Sequence, residues 1–160
     1  MPHVQVLGGG STVDWPMLAA MLDSDPGVVS VRRFVAADSL LLRGQSVAAT
    51  QLTGVDATSV SHYGALLSPA VEVWDEQSLV LGAAMVTRLG LEVGDRLSFI
   101  LPTREGTQYQ PLNVTLTAVL ESGTELDEVL ALVNRKALSP YLGSASTVSY
   151  THLTLPTNGC

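Results

Sequence analysis

The stretch over residues 78–101 constrains the fold most, because it contains the start and end signals of three consecutive elements. Residues 79–81 form an apolar run that is typical of a buried strand. A helix is predicted over 82–89, and Gly90 follows at the position where helices end in a left-handed residue, which glycine adopts without steric cost. A turn then leads into a strand over 96–101. The order predicts a strand–helix–strand unit.

A second strand pattern lies downstream, where apolar side chains alternate with polar ones. The apolar members are Leu112, Val114, Leu116, Ala118 and Leu120. Successive side chains of a strand point to opposite faces, so this pattern predicts a strand with one face toward the core. With the strand over 96–101 it forms a long predicted hairpin, one face of which is exposed to solvent.

The N-terminal half of the chain predicts strand, helix, strand and hairpin in that order. The strands are expected over 4–7 and 28–35, and the helix begins at Asp14, a good N-cap residue. The hairpin spans 40–52, with Gly44 in its turn. The triple glycine after the first strand lacks the lysine of a phosphate-binding loop and predicts a turn.

The rest of the chain adds a loop-rich connection and a short C-terminal strand. We expect the connection over 54–78, with a helical turn over 56–61 and an edge strand over 71–74. A buried strand over 129–133 is followed by a short helix capped by Asn134. The predicted fold class is α+β, with mixed strands, short helices and β-hairpins.

Composition excludes several classes of protein. The chain of 160 residues is 46% hydrophobic, which excludes a disordered tail. Its 8 basic and 15 acidic side chains give a net charge of −7 and argue against a nucleic-acid partner, which requires a basic face. One cysteine cannot form an internal disulfide. No apolar run reaches the roughly 18 residues that cross a bilayer, and no signal peptide is recognisable.

The sequence predicts no catalytic residue, no cofactor and no metal site. Ser61 and His62 are adjacent in sequence, but no Gly-x-Ser-x-Gly turn accompanies them, so a solvated loop is favoured over a small hydrolase. The dense acidic segment contains Glu121, Glu125, Asp127 and Glu128. It lacks the alternating ligands of a calcium loop, which favours a solvated turn.

The C-terminal segment differs from the rest of the chain. Residues 148–160 carry no charge and continue no pattern of the preceding elements. Ten of these residues, from Val148, resemble the in-frame translation of a transposase adapter used in making DNA sequencing libraries. We therefore predict a native domain over 1–147 and a non-native tail over 148–160. A native β-strand tail is the alternative.

Three stretches of the chain together resemble the extracytoplasmic domain of the lipoprotein-releasing ABC transporter permeases, the LolC/LolE family. The first comprises Met1-Pro2-His3, Trp15, Pro26-Gly27-Val28 and Gln51-Leu52-Thr53-Gly54-Val55-Asp56. The second comprises Leu79-Val80-Leu81-Gly82, Leu89-Gly90-Leu91 and Gly94-Asp95. The third comprises Glu121-Ser122-Gly123, Leu126-Asp127 and Ala131-Leu132-Val133-Asn134. Macrolide exporters and FtsX-like permeases share the middle pattern, so a MacB/FtsX-type permease is the alternative.

The resemblance implies a MacB-like periplasmic core domain in a bacterial inner-membrane protein. Such a domain is inserted between the first and second of four membrane helices, so Met1 is expected to be an internal residue or a false start of a longer protein. The implied partners are a second permease subunit, a cytoplasmic ATPase, the lipoprotein substrate and a periplasmic lipoprotein carrier. ATP hydrolysis is expected in the separate ATPase, and this chain would guide or hand over the lipoprotein.

The loop over 102–111 is the candidate partner-contact site. In the family's carrier-docking subunit the corresponding hairpin is a longer hook, which this loop does not match residue by residue. The difference favours the second, substrate-facing type of subunit. The candidate contact residues are Arg104, Gln108, Tyr109 and Pro111, because tyrosine and arginine often anchor interfaces. A solvated hairpin tip remains the alternative.

Overall fold

The computed structural model describes the backbone of residues 5–9, 32–103, 108–141 and 147–151. Side chains are described over 34–103 and 108–141. The helix predicted to begin at Asp14 lies outside the described residues. The structure confirms the predicted α+β class, because a mixed sheet dominates and the described helices are short.

The described elements follow one another in an order close to that predicted. The strands are β1 (Gln5–Gly9), β2 (Arg32–Arg43), β3 (Ser46–Val55), β4 (Leu67–Ser68), β5 (Ser78–Gly82), β6 (Arg96–Pro102), β7 (Tyr109–Leu120), β8 (Ala131–Asn134) and β9 (Thr147–Thr151). The α-helices are α1 (Ala57–His62), α2 (Ala83–Leu89) and α3 (Leu126–Val129), and the 3-10 helices span Gly64–Leu66 and Arg135–Tyr141.

Six of the described strands close into a ring in the order β2, β3, β8, β5, β7 and β6. Closure depends on β2, whose C-terminal part pairs with β6 while its N-terminal part pairs with β9. A ring leaves fewer free strand edges than an open sheet. Strands β9 and β1 extend the sheet outside the ring.

A β-bulge in β7 divides its alternating apolar residues between two cores. Leu79 pairs with Leu116, but Val80 pairs with Ala118, so Thr117 is the extra residue. A bulge shifts the alternation by one residue, and the side chains that follow therefore change face. Leu116 joins the core around Phe99, whereas Ala118 joins a second core. The predicted alternation of buried and less buried side chains is confirmed along the strand, but the bulge divides the buried side chains between two cores.

Strand β2 is longer than predicted. The sequence predicts two strands with a break over 36–39, whereas the structure contains one strand of 12 residues. Asp38 is exposed, and Ser39 is buried with its hydroxyl donating to the Thr50 carbonyl at 2.7 Å. The two polar residues therefore fit a continuous strand. The predicted hairpin turn is confirmed, with Gly44 at φ 57.

The connection between β3 and β5 packs over the second core. Helix α1 confirms the predicted helical turn, and its buried Val60 joins this core. The predicted edge strand over 71–74 does not form. Instead the Trp74 Nε1–H donates to the Val55 carbonyl at 3.0 Å, and the Asn134 amide donates to the Trp74 carbonyl at 2.9 Å. These bonds hold the segment against the ring without strand pairing.

The Gly-Asp pattern before β6 forms a hydrogen-bonded turn. Gly90 ends α2 with φ 63, as predicted. The Asp95 carboxylate accepts the Glu92 N–H at 2.9 Å and pairs with Arg43 at 3.4 Å. Arg43 also donates to the Gly90 carbonyl at 3.0 Å. This part of the sequence pattern therefore has a structural role, since it fixes the α2–β6 turn against the end of β2.

Candidate interaction surface on the β6–β7 hairpin

Strands β6 and β7 form the predicted hairpin. The register places Ile100 opposite Pro111 and Pro102 opposite Tyr109, and the Thr103 N–H donates to the Gln108 carbonyl at 2.7 Å. Alternate β6 side chains are buried in the core that surrounds Phe99. The hairpin base is therefore anchored in the core, which fixes the direction in which its end extends.

The candidate contact residues at the hairpin end are exposed where the structure describes them. Gln108 and Pro111 are exposed, and Tyr109 has 72% of its surface open to solvent. Arg104 lies in residues 104–107, outside the described part. Aromatic side chains are enriched at protein interfaces, so Tyr109 remains a candidate contact residue.

An apolar stripe runs from the hairpin across the outer face of the ring. Ala49, Leu40, Ile100 and Pro111 lie directly opposite one another on four neighbouring strands, β3, β2, β6 and β7. Leu40 is 44% exposed, Ile100 is half-buried, and Ala49 and Pro111 are exposed. We call these four residues the apolar stripe. It continues the hairpin surface for the width of four strands.

The sequence does not reveal the apolar stripe. Residues 40–42 are three leucines, and such a run does not show which of them points outward. The structure buries Leu41 and leaves Leu40 on the surface. Moreover, the stripe depends on the pairing of β2 with β6, strands that are far apart in sequence.

One polar side chain outside the hairpin holds the β7 end of the stripe. The Tyr141 hydroxyl donates to the Pro111 carbonyl at 3.1 Å. Partial burial raises the pKa of Tyr141 above its ordinary value, so the hydroxyl keeps its proton at neutral pH. Pro111 itself has no N–H, which weakens this part of β7 as a site for pairing with another strand.

The acidic segment over 121–128, which leads into and includes most of α3, has one buried member. Asp127 is buried, and its carboxylate accepts the Ser122 hydroxyl at 2.6 Å, the Ser122 N–H at 2.8 Å and the Gly123 N–H at 3.0 Å. The Ser122 hydroxyl and the two N–H groups hold the pKa of Asp127 below its ordinary value. The expectation of a solvated turn fits the exposed Glu121, Glu125 and Glu128 but is wrong for Asp127.

The hydroxyl of Ser61 bonds within its own helix. Ser61 Oγ donates to the Ala57 carbonyl at 3.0 Å, and His62 is exposed at the end of α1. This geometry does not direct the Ser61 proton toward the imidazole, which nucleophilic catalysis requires. Within the described residues, no group of three or more histidine, cysteine, aspartate or glutamate side chains is arranged to hold a metal.

None of the described helices combines the length and the apolar composition of a membrane-spanning helix.

Comparison with known proteins adds distant relatives. No protein-family profile matches the chain. It is 25% identical over 149 residues to the lipoprotein-releasing system transmembrane protein LolE of Haemophilus influenzae. It is also 25% identical over 146 residues to the transmembrane protein LolC of the same system in Neisseria meningitidis serogroup B. Each match covers 83% of this chain and 35% of the relative, so the chain spans about a third of their length.

Solved structures share the fold. The periplasmic region of MacB from Actinobacillus actinomycetemcomitans matches with a TM-score of 0.60 and 11% identity, over 96% of this chain and 75% of that one. The extracellular domain of the noncanonic ABC-type transporter YknZ from Gram-positive bacteria also has a TM-score of 0.60 at 11% identity, over 98% of this chain and 86% of that one. The resemblance to LolC/LolE permeases is confirmed. The fold is MacB-like, and the sequence is similar to two lipoprotein-releasing system transmembrane proteins.

Proposed function

We propose that this domain belongs to a permease subunit that helps extract lipoproteins from the bacterial inner membrane and pass them to a periplasmic carrier. The proposal rests on the sequence similarity to two lipoprotein-releasing proteins, which extends over 83% of the chain. The proposed partners are a second permease subunit, a cytoplasmic ATPase that supplies the energy, the lipoprotein, and the carrier. In this arrangement the domain itself performs no chemical step.

The β6–β7 hairpin and the apolar stripe form the proposed partner-contact surface. Tyr109 supplies a large exposed side chain, and Gln108 and Pro111 lie beside it. We assign Arg104 to the same surface from its place in the loop. Aromatic and arginine side chains dominate the binding free energy of many interfaces, and an adjoining apolar surface adds burial on contact.

The flanking gene sequence tests membrane insertion. We expect an apolar segment of about 20 residues before the domain and three more after it. Flanks without such segments would contradict the proposal. The gene sequence also covers the codons around residue 148. It therefore tests the predicted boundary between the native domain over 1–147 and the tail over 148–160.

A release assay tests the contact surface. The full-length permease, with its partner subunit and ATPase, is reconstituted with a lipoprotein in liposomes, and transfer to the soluble carrier is measured with ATP. The variants Tyr109→Ala and Ile100→Asp should reduce transfer several-fold. The control Gln45→Ala changes an exposed residue of the β2–β3 turn and should transfer normally. Normal transfer by the Tyr109 and Ile100 variants would refute the assigned surface.

An efflux or cell-division permease of the MacB/FtsX type is the second candidate. The structural similarity to MacB and YknZ, with TM-scores of 0.60, supports this second candidate, because the fold also occurs in transporters outside the lipoprotein-releasing group. The full-length protein distinguishes the two candidates. Lipoprotein-stimulated ATP hydrolysis by the assembled complex supports the first proposal, and its absence supports the second.

A further inference from the structure

A cavity of about 230 Å³ lies between α1 and residues 70–74. Its apolar lining includes Val60, Leu67, Val71 and Trp74, all of which belong to the second core or pack against it. The hydrogen bond from the Trp74 Nε1–H to the Val55 carbonyl, 3.0 Å long, fixes the indole. The apolar wall is therefore formed by the packed core before any ligand binds.

The polar side chains of Ser61 and Glu72 at this cavity offer hydrogen-bond acceptors. The Ser61 hydroxyl already donates its proton to the Ala57 carbonyl at 3.0 Å, so its lone pairs remain as acceptors. Glu72 is exposed and is the one charged residue among the described residues that line the cavity. A carboxylate and a hydroxyl without a free proton favour a ligand that carries several donors and a positive charge.

The volume decides the size of the ligand. Pockets for cofactors and drug-sized molecules usually measure about 300–1,000 Å³, which exceeds this cavity. A space of about 230 Å³ suits one long amino-acid side chain. The lining then requires a side chain with an apolar stem and a cationic end that donates hydrogen bonds.

We propose that the cavity binds one arginine side chain of a partner polypeptide. The methylene stem would lie along Val60, Leu67 and Val71, where it replaces water. The guanidinium has five N–H donors and no acceptor, which matches the Glu72 carboxylate and the Ser61 oxygen. It also stacks favourably on aromatic faces such as that of Trp74. Lysine carries the same charge but lacks the planar guanidinium, which stacks on aromatic rings and forms paired hydrogen bonds to a carboxylate.

The arginine cavity is separate from the proposed hairpin surface. Leu67, in its lining, pairs with Leu120 at the C-terminal end of β7, whereas the hairpin lies at Tyr109, the other end of this strand. Twelve strand residues span about 36 Å at roughly 3.3 Å per residue. Binding at this cavity can therefore be tested independently of lipoprotein transfer.

Two small probes test the proposal on the full 160-residue chain. N-acetyl-arginine methylamide carries the guanidinium, and N-acetyl-citrulline methylamide has the same shape without the charge. Each is titrated while the indole N–H resonances are followed by NMR. We expect the arginine probe to shift the Trp74 resonance and to bind about three- to five-fold tighter than citrulline, as for a partly exposed charge pair. The Trp15 resonance identifies nonspecific effects.

Matched variants locate the binding. Glu72→Gln should reduce arginine binding to the citrulline level, whereas Glu76→Gln, an exposed neighbour outside the lining, should not change it. Ala70→Leu fills the cavity and should abolish binding, whereas Val73→Leu, 64% exposed before the change and outside the lining, should not. Thermal unfolding confirms that each variant is folded.

Four outcomes would overturn the proposal. Equal binding of the arginine and citrulline probes would show that charge plays no role. A third probe, N-acetyl-lysine methylamide, would show that the planar guanidinium plays no role if it bound as tightly as the arginine probe. Binding that survives Ala70→Leu in the folded variant would place the ligand elsewhere. A Trp74 resonance that does not move at millimolar arginine probe would show that the cavity does not accept this side chain.

Discussion

The two ends of β7 use polar residues in opposite ways. After Leu120, the Asp127 carboxylate is turned inward and accepts three hydrogen bonds from Ser122 and Gly123. At the other end, Tyr109 is 72% exposed, and the Tyr141 hydroxyl donates to the Pro111 carbonyl. The comparison separates a segment whose polar groups serve stability from one whose side chains are available to a partner.

This difference explains why charge density alone does not locate a functional surface. The acidic segment at 121–128 has the higher density of ionisable groups, but its buried member satisfies the backbone of its own loop. The hairpin has few charges, and its β6 strand is anchored in the core. Four variants test this contrast, and they follow in order of their expected effect on the free energy of unfolding.

Gly82→Ala should have the largest effect. A Cβ at this position would lie 2.7 Å from the Asp127 Cα, and backbone atoms cannot move aside cheaply. We expect a loss of about 3 kcal/mol in the free energy of unfolding, measured by urea denaturation. Gly64→Ala is the control, because nothing lies within 4 Å of its added Cβ. Equal stability of the two variants would contradict the close packing of α3 on β5.

Asp127→Asn should have the second largest effect at neutral pH. The pKa of Asp127 is lowered from its ordinary 3.8, so its charge stabilises the fold above that pH and ceases to do so as the pH falls through the lower folded value. The variant should therefore be less stable than the native chain at pH 7, and the difference should shrink below about pH 4. Urea midpoints at pH 7 and pH 3 measure both effects. A difference that stays constant with pH would show that the carboxylate charge is not responsible.

Tyr141→Phe should have a smaller effect, because it removes one neutral hydrogen bond to Pro111. We expect a loss of about 0.5–1 kcal/mol. The matched control is Tyr109→Phe, which removes the hydroxyl of an exposed tyrosine and should leave stability unchanged. If both variants lost the same free energy, the Tyr141–Pro111 bond would have no measurable role at the hairpin.

Tyr109→Ala should have the smallest effect on folding. Its side chain is 72% exposed, and substitutions at such positions usually change stability by less than about 0.5 kcal/mol. Loss of transfer in the release assay without loss of stability would therefore identify a contact residue. A destabilisation above about 1 kcal/mol would instead show that Tyr109 supports the hairpin, and it would break the contrast between the two ends of β7.

The predictions from sequence succeeded where the signals are local. The β5–α2–β6 unit and the hairpin turn at Gly44 were predictable, because glycine positions and apolar runs act over a few residues. The 3-10 helix after β8 was foreseeable for the same reason, since Asn134 Oδ1 caps it by accepting the Lys136 N–H at 3.0 Å. The prediction of an edge strand over 71–74 was wrong, because the hydrogen bonds of Trp74 to distant residues determine the backbone conformation of that segment.

The candidate site was only partly predictable. The exposed hairpin end follows from the sequence, and the residues at 108, 109 and 111 lie there. The apolar stripe does not, because it requires the pairing of β2 with β6. The arginine cavity likewise forms only when α1 and residues 70–74 pack over the second core. Both surfaces depend on contacts between parts of the chain that no local sequence pattern specifies, namely strand register for the stripe and helix-to-loop packing for the cavity.

By itself the sequence determined the α+β class, most of the described elements and the resemblance to LolC/LolE permeases, because these depend on local pattern and order. Only the tertiary structure decided that Thr117 bulges, that Asp127 is buried, and that Leu40 rather than Leu41 is exposed. For Thr117 and Leu40 the physical reason is strand register, whereas Asp127 lies in α3 and its carboxylate is held by hydrogen bonds from Ser122 and Gly123. A shift of one residue in the pairing of a strand exchanges its buried and exposed faces, and no local pattern in this chain specifies that shift.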